Sequence, residues 1–261
     1  MLVDSHSHLF LEEFADDLPL VMQRAREAGV THIFMPNIDS TTIESLLSVC
    51  AAYKEFCFPM IGLHPTSVNE NYKKELDIVA GQLASSNGYV AIGEIGLDYY
   101  YNNSPRETQI EGLEAQLQMA VDYNLPVSFH VRDGAKDQPS VWDDFWPIFD
   151  NFHGLRGVLH SFTDTRDNLE KGFSRNLYVG LNGISTFTKD QLQKELFASI
   201  PLERLLLETD APFLTPAPFR GNINKPEYVR LVAEYWAKQR NIDFDVLSQA
   251  TLHNTKELFG I

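Results

Sequence analysis

Basic residues are scarce in this chain. Of 261 residues, 21 are Lys or Arg against 36 Asp or Glu, a formal net charge of -15. A field of that sign repels a polyanion, which counts against a large non-specific nucleic-acid surface. It leaves room for a small phosphate site made locally positive by metal ions. Cysteine is scarcer still, with Cys50 and Cys57 alone. Two thiols in so long a chain make no disulfide framework. Cys50 falls near the end of a helical pattern and Cys57 opens a strand, so a pair between them is not expected. No apolar run approaches the roughly 20 residues of a membrane span. Met1-Leu2-Val3-Asp4 shows no basic segment leading into an apolar one, so no secretory signal is expected. A cytoplasmic enzyme is the default expectation, and nothing in the sequence points to a membrane or a protein partner.

What is present is ordinary in bulk and ordered in detail. Composition is 44% hydrophobic and 22% charged, as in a globular domain with one large core. Strand-like runs are expected near 2–6, 31–36, 57–63, 89–95, 126–131, 156–161, 177–181 and 204–209. Helical patterns fall between them: from Leu18 onward, Thr42 to Tyr53, Tyr72 to Ala84, Pro105 to Tyr123, Val141 to Phe152, Arg166 to Gly172 and Lys189 to Ala198. Pro226 to Arg240 and Asp245 to Phe259 follow. Alternation of this kind implies a parallel sheet. Eight strands in 261 residues match a single (β/α)8 TIM barrel, an α/β fold of roughly 250 residues, so residues 1–261 are expected to form one domain. Gly29 reads as a helix C-terminal cap. Ser104-Pro105-Arg106-Glu107 reads as an N-cap, a first-position proline and a first-turn acid. Pro212 to Pro226, rich in Pro, Gly and Asn, reads as an active-site loop after the eighth strand.

Six residues able to bind metal close these strand-like runs: His6, His8, Glu94, His130, His160 and Asp210. His6 and His8 are two apart, so on a strand both share a face. Glu94 follows Val90-Ala91-Ile92-Gly93, and Asp210 follows Leu205-Leu206-Leu207-Glu208-Thr209. A carboxylate at the end of a buried strand is costly unless paired or metal-bound. His130 and His160 each end a β-rich stretch. Any one of these histidines alone reads as structural. All six in equivalent positions read as ligands at the C-terminal ends of barrel strands, where barrel active sites are built. His32, His153 and His253 lie elsewhere in the alternation and are expected to be structural. Four imidazoles and two carboxylates suit two divalent ions, leaning to Zn or Mn with Mg also allowed. The local charge is then about +2, with about +4 from the ions and -2 from the carboxylates.

These residues sit in motifs that resemble the TatD family of metal-dependent nucleases, within the amidohydrolase-like barrels. The motifs are Asp4-Ser5-His6-Ser7-His8-Leu9, Gly62-Leu63-His64-Pro65, Gly93-Glu94-Ile95-Gly96-Leu97-Asp98-Tyr99, His130-Val131-Arg132-Asp133, His160-Ser161-Phe162, Glu208-Thr209-Asp210-Ala211-Pro212 and Arg220-Gly221-Asn222-Ile223-Asn224-Lys225-Pro226. They run in the family's order over residues 4 to 226. The resemblance implies one metal held by His6, His8, Glu94 and Asp210, and a second held by Glu94, His130 and His160, with Glu94 bridging. It also implies His64 as a phosphate contact and Arg220 as a candidate phosphate clamp. Arg132 shares parity with His130 and could face the site or pair with Glu208. Tyr99 and Tyr100 could stack a base.

The implied activity is hydrolysis of phosphodiester bonds at a DNA end, or of a small phosphodiester, by a water that two metals activate. Asp210 would take the water's proton, which places Asp210 and Glu94 at the chemistry. The chain departs from the family pattern at Ser161 and Asp164, where Cys and Gly are usual, and at Thr66, where His is frequent. One rival reading is an amidohydrolase acting on a small amide or ester. Such relatives often carry a strand-four Lys, and Glu94 in that place favours the nuclease-like branch. The other is a scaffold that binds metal without catalysis.

Overall fold

Runs of β-branched and aromatic residues such as Val30-Thr31-His32-Ile33-Phe34 are suited to strands buried on both faces. Eight of them form one parallel sheet in the computed structural model, which describes residues 1–85, 88–101, 104–135 and 138–261. The strands are β1 (Leu2–Asp4), β2 (Val30–Pro36), β3 (Cys57–Ile61), β4 (Ala91–Asp98), β5 (Val127–Arg132), β6 (Gly157–Leu159), β7 (Tyr178–Leu181) and β8 (Leu205–Leu207). Each pairs with the next in chain order. The helices are α1 (Leu18–Glu27), α2 (Ile43–Ala52), α3 (Tyr72–Ala84), α4 (Arg106–Asp122), α5 (Trp142–Asp150), α6 (Arg166–Ser174), the short α7 (Ile184–Phe187), α8 (Gln191–Ser199), α9 (Val229–Gln239) and α10 (Phe244–Phe259). The result is a nearly closed TIM barrel, as the alternation predicts.

The seam between β1 and β8 is closed by the segments that carry the site. Ser5 N donates to Leu207 O at 3.0 Å, Asp210 N to His6 O at 2.9 Å and His8 N to Ala211 O at 2.7 Å. Asp4, fully buried, accepts from Thr209 N at 2.8 Å and the Thr209 hydroxyl at 2.6 Å. The motif residues at the two chain-distant ends are therefore fixed to one another by backbone geometry.

Beneath the site, Val3, Phe34, Met60, Ala91, Val158, Tyr178 and Leu206 form an apolar layer that Leu258 and Phe259 of α10 complete. Phe34 and Phe259 stack at 4.2 Å between ring centroids. On β6 to β8 this layer precedes the site by one pleat period: Val158 comes two residues before His160, and Leu206 two before Glu208. Outside the sheet, Phe129 packs edge-on against Phe145 and Phe149 of α5.

Three expectations shift. β4 runs on to Asp98, because Ile95 to Asp98 pair with Phe129 to Arg132 of β5. β1 leaves the sheet after Asp4, where Ser5 to His8 turn to meet β8. The N-cap of α4 is Pro105 rather than Ser104. Pro105 O already receives the first-turn amides of Thr108 and Gln109, and the Ser104 hydroxyl, buried, has no partner among the described residues. Cys50 and Cys57 are free and buried.

Candidate metal centre and active site

Glu94, 3% exposed, stands at the centre of a ring of imidazoles at the C-terminal end of the barrel. Its two oxygens face different partners. Oε2 is 3.0 Å from His6 Nε2 and 3.8 Å from His8 Nε2. Oε1 is 2.9 Å from His130 Nδ1, 3.5 Å from His64 Nε2 and 3.7 Å from His160 Nε2. Asp210 Oδ1 completes the ring at 3.4 Å from His8 Nε2, 3.7 Å from His160 Nε2 and 3.8 Å from His6 Nε2. The rings of His6 and His160 stack at 3.5 Å. All six expected ligands and His64 thus lie together. Two sets of three donors, His6–His8–Glu94 and His64–Glu94–His130, are close enough to share an ion, as is His6–His160–Glu208.

The backs of the imidazoles settle their orientation. His6 Nδ1 is 3.3 Å from Ser128 Oγ, His8 Nδ1 is 3.2 Å from Pro36 O, His160 Nδ1 is 3.0 Å from Glu208 Oε1, and His130 Nε2 is 2.8 Å from Asp98 Oδ2. An oxygen behind the outward nitrogen is the arrangement found at metal-binding histidines, where it orients the ring with its other nitrogen toward the centre. His64 is arranged the other way: its Nδ1 accepts from Thr66 N at 3.1 Å, so the hydrogen sits on Nε2, toward the centre. Asp98 and Glu208, both buried, were missed by the sequence reading: Asp98 lies beyond the expected end of the fourth strand at 95, and the one signal for Glu208 is its shared parity with Asp210. Ser128 and Pro36 O carried no such signal. Gly180 is needed here because a side chain at that position would collide with the Glu208 carboxylate. Asp210 itself has φ +60, a left-handed conformation that Asp adopts more readily than most residues.

Electrostatics follow from this crowding. Burial opposes charge on Glu94, but the imidazoles of His6, His64, His160 and His130 together hold it well below the usual carboxylate range. Asp210 is lowered in the same way against its burial, chiefly by His160 and His8. Burial also disfavours charge on His130 and His160. Asp98 and Glu94 overcome it for His130, raising it to about 9, and Glu208, Glu94 and Asp210 raise His160 to about 10. Burial lowers His6 and His64. Among the described residues lining the cavity above the centre, Arg132 is the one Lys or Arg. The positive charge beside these buried carboxylates comes from imidazoles rather than from a lysine or arginine.

That cavity holds about 550 Å3 and is bordered by His8, His64, Tyr101, Arg132, Asp210 and Phe213, among others. Arg132 lies over the ring of Tyr100, 4.0 Å from its centroid, rather than against Glu208. Tyr99 turns away, its hydroxyl donating to Asp144 at 2.5 Å. Arg220 is exposed, with its guanidinium 3.9 Å from the Phe187 ring centroid, and does not border the cavity. His32, His153 and His253 lie outside the cluster: His32 stacks on Phe58, and His253 is 3.7 Å from Glu257 on the exposed face of α10.

A parallel barrel with histidines and carboxylates converging at its strand ends defines a metal-dependent hydrolase. The profile of the family described as TatD related DNase matches residues 3–260, and the chain belongs to that family. Over all 261 residues it is 34% identical to YabD, an uncharacterised metal-dependent hydrolase of Bacillus subtilis, which it covers completely. It is 33% identical, across the full length of both chains, to a protein of Erwinia tasmaniensis named 3'-5' ssDNA/RNA exonuclease TatD. Among solved structures, the TatD homologue YJJV of Escherichia coli superposes with a TM-score of 0.90 at 28% identity, covering 100% of this chain and 98% of the other.

Proposed function

We propose that this protein is a two-metal phosphodiesterase that removes nucleotides from the end of a nucleic acid, DNA in the first instance. The observation that carries the reading is Glu94, whose two oxygens face two separate sets of imidazoles. His6 and His8 would hold one ion with Glu94 and Asp210; His130 and His160 would hold the other with Glu94. The donor set fits: four imidazoles each have an oxygen within 3.3 Å behind the outward nitrogen, and a mixed imidazole–carboxylate set suits Zn or Mn, with Mg allowed. Two such ions supply Lewis-acid activation of the attacking water and of the phosphate.

The chain's own residues do the rest. Asp210 Oδ1 is the proton acceptor for the attacking water, because it lies at the centre and its carboxyl stays ionised. His64, neutral with its hydrogen on Nε2, is placed to donate to a phosphate oxygen. Arg220, on the loop after β8, is a second proposed phosphate contact, reached beyond the mouth of the cavity. The free, buried thiols support the expected cytoplasmic location. No helix of the described residues is long and apolar enough to cross a membrane, and we read the whole chain as one domain.

The test is to strip metal with chelator, restore Zn, Mn or Mg in turn, and assay end-labelled single- and double-stranded DNA, RNA, a chromogenic phosphodiester and a panel of small amides and esters. Release of mononucleotides from an end is expected. Turnover of amides or esters with no phosphodiester cleavage would replace this reading with the amidohydrolase one. Bound metal with no turnover of any substrate would favour the scaffold.

A further inference from the structure

A second, smaller cavity of about 230 Å3 opens beside the first, between the C-terminal ends of β5 and β6 and the start of α5. Val131, Arg132, His160 and Thr163 border both cavities, so a ligand seated at the metal centre can extend past Arg132 and Thr163 into it. Its deeper wall is aromatic, with Phe129, Trp142 and Phe162. Trp142 is the unusual member. Its indole N–H is buried and has no acceptor among the described residues. The indoles of Trp146 and Trp236 donate to Asn168 at 2.9 Å and Ser185 at 2.8 Å. Stacking on Trp146 at 5.1 Å and edge contact with Phe145 at 5.5 Å fix the Trp142 ring in place. Among the described residues this donor, held rigidly in the wall of the cavity, is left without the acceptor a buried N–H normally has.

The chemistry of the cavity narrows what that acceptor belongs to. Asp133 and Asp164 also border it, alongside Arg132 and His160, so the rim is charge-balanced and gives a second phosphate no net attraction. The volume lies below the roughly 300–1,000 Å3 of sites for drug-sized ligands, which suits one ring system. A flat, uncharged heterocycle with a carbonyl or ring-nitrogen acceptor satisfies the aromatic wall, the unpartnered donor and the charge-balanced border together.

We propose that this cavity is a nucleobase pocket, taking the unpaired base of the terminal nucleotide while its phosphate lies at the metal centre. The inference rests on the phosphodiesterase reading above for the placement of the phosphate. Because the pocket admits one base with its hydrogen-bonding edge exposed to Trp142, a base paired in a duplex must first be released from its partner.

The test reads the pocket directly, without turnover. In the full chain labelled with nitrogen-15, the three indole N–H signals are followed while thymidine 5′-monophosphate is added, with deoxyribose 5-phosphate as the base-free control. Trp142→Phe identifies its signal by loss. The expected result is that the Trp142 signal moves with the nucleotide and not with the sugar phosphate, while those of Trp146 and Trp236 stay. Trp142→Phe should weaken nucleotide binding about tenfold, the size of one hydrogen bond between neutral groups. Thr163→Tyr, at an exposed position that borders both cavities, should weaken it further by filling the passage. A Trp142 signal that stays fixed into the tens of millimolar, or that moves equally with deoxyribose 5-phosphate, overturns the pocket. The two readings fail separately. Oligonucleotide cleavage with a fixed Trp142 signal removes the pocket and keeps the phosphodiesterase. A base-dependent shift in a protein that cleaves no phosphodiester keeps the pocket and removes the phosphodiesterase.

Discussion

The two ends of this barrel are built from the same strands and do opposite things. At the lower end the inward side chains are Val158, Tyr178 and Leu206, sealed by Leu258 and Phe259. One pleat period later, the strands present His160, Gly180 and Glu208, and the interior becomes a crowd of imidazoles and carboxylates around Glu94. Apolar side chains at the lower end gain by leaving water. Buried carboxylates at the upper end are costly without compensating charge. The lower end therefore stabilises the fold, and the upper end is held in place by it.

The comparison is broken most sharply at its upper centre. Glu94→Ala should remove the bridge, lower bound metal and abolish measurable turnover. Far-UV circular dichroism should stay native, since the apolar layer is untouched. Metal analysis and phosphodiester assay check this, and wild-type turnover in the variant would end the two-metal account. At the lower end, Phe259→Ala should destabilise the fold by about 3–5 kcal/mol, the usual range for truncating a buried Phe. Denaturant titration measures the loss. Turnover per folded molecule should stay close to wild type, and a proportionate fall in both would show the two ends to be coupled.

Asp210→Asn sharpens the division within the upper end. An amide keeps an oxygen donor but cannot accept a proton, so the rate should fall at least about a hundredfold, the low end for general acid–base catalysis. Much of the metal should stay bound. A rate within a few-fold of wild type, with metal retained, would leave Asp210 a ligand only.

The fourth prediction concerns protons. His130, near 9, and His160, near 10, are raised above the ordinary histidine value of about 6.5. In metal-free protein they stabilise the fold fully below about pH 6.5. That contribution is lost as pH rises through about 9 to 10. Metal must displace those protons, so binding at pH 7 should release about two per protein and tighten with rising pH. Calorimetry in buffers of different ionisation heat counts them, and a buffer-independent heat would refute the assignment. The smallest effect is expected at Arg220. Arg220→Ala should lower the slope of log affinity against log salt by about one, at unchanged metal content and base preference. An unchanged slope would leave Arg220 as a loop residue held against Phe187.

The alternation of strands and helices, and with it the barrel, was legible from hydrophobic pattern alone, because each strand is short, apolar and bounded by turn residues. That six histidines and carboxylates would meet was legible too, because side chains able to bind metal recur at one point of a repeating unit. Glu208 shares parity with Asp210, but Asp98 lay outside the expected strand and came to the site only because β4 runs on beside β5. Pairing between distant parts of the chain decided the remainder. Ser128 and Pro36 O stand behind His6 and His8 only because β5 and β2 flank the centre. Arg132 could be assigned a face but not its place over Tyr100, and Arg220 could be assigned to a loop but not to Phe187. Ser104 looks like a cap in sequence, yet the carbonyl of Pro105 takes the first-turn amides. The second cavity has no sequence signature, since it is the space left between two strand ends and a helix start, and Trp142 reads as an ordinary core residue until its missing acceptor is seen. Local periodicity fixes what a segment becomes; which side chain meets which is a property of the barrel, because those contacts join residues 28 to 205 positions apart.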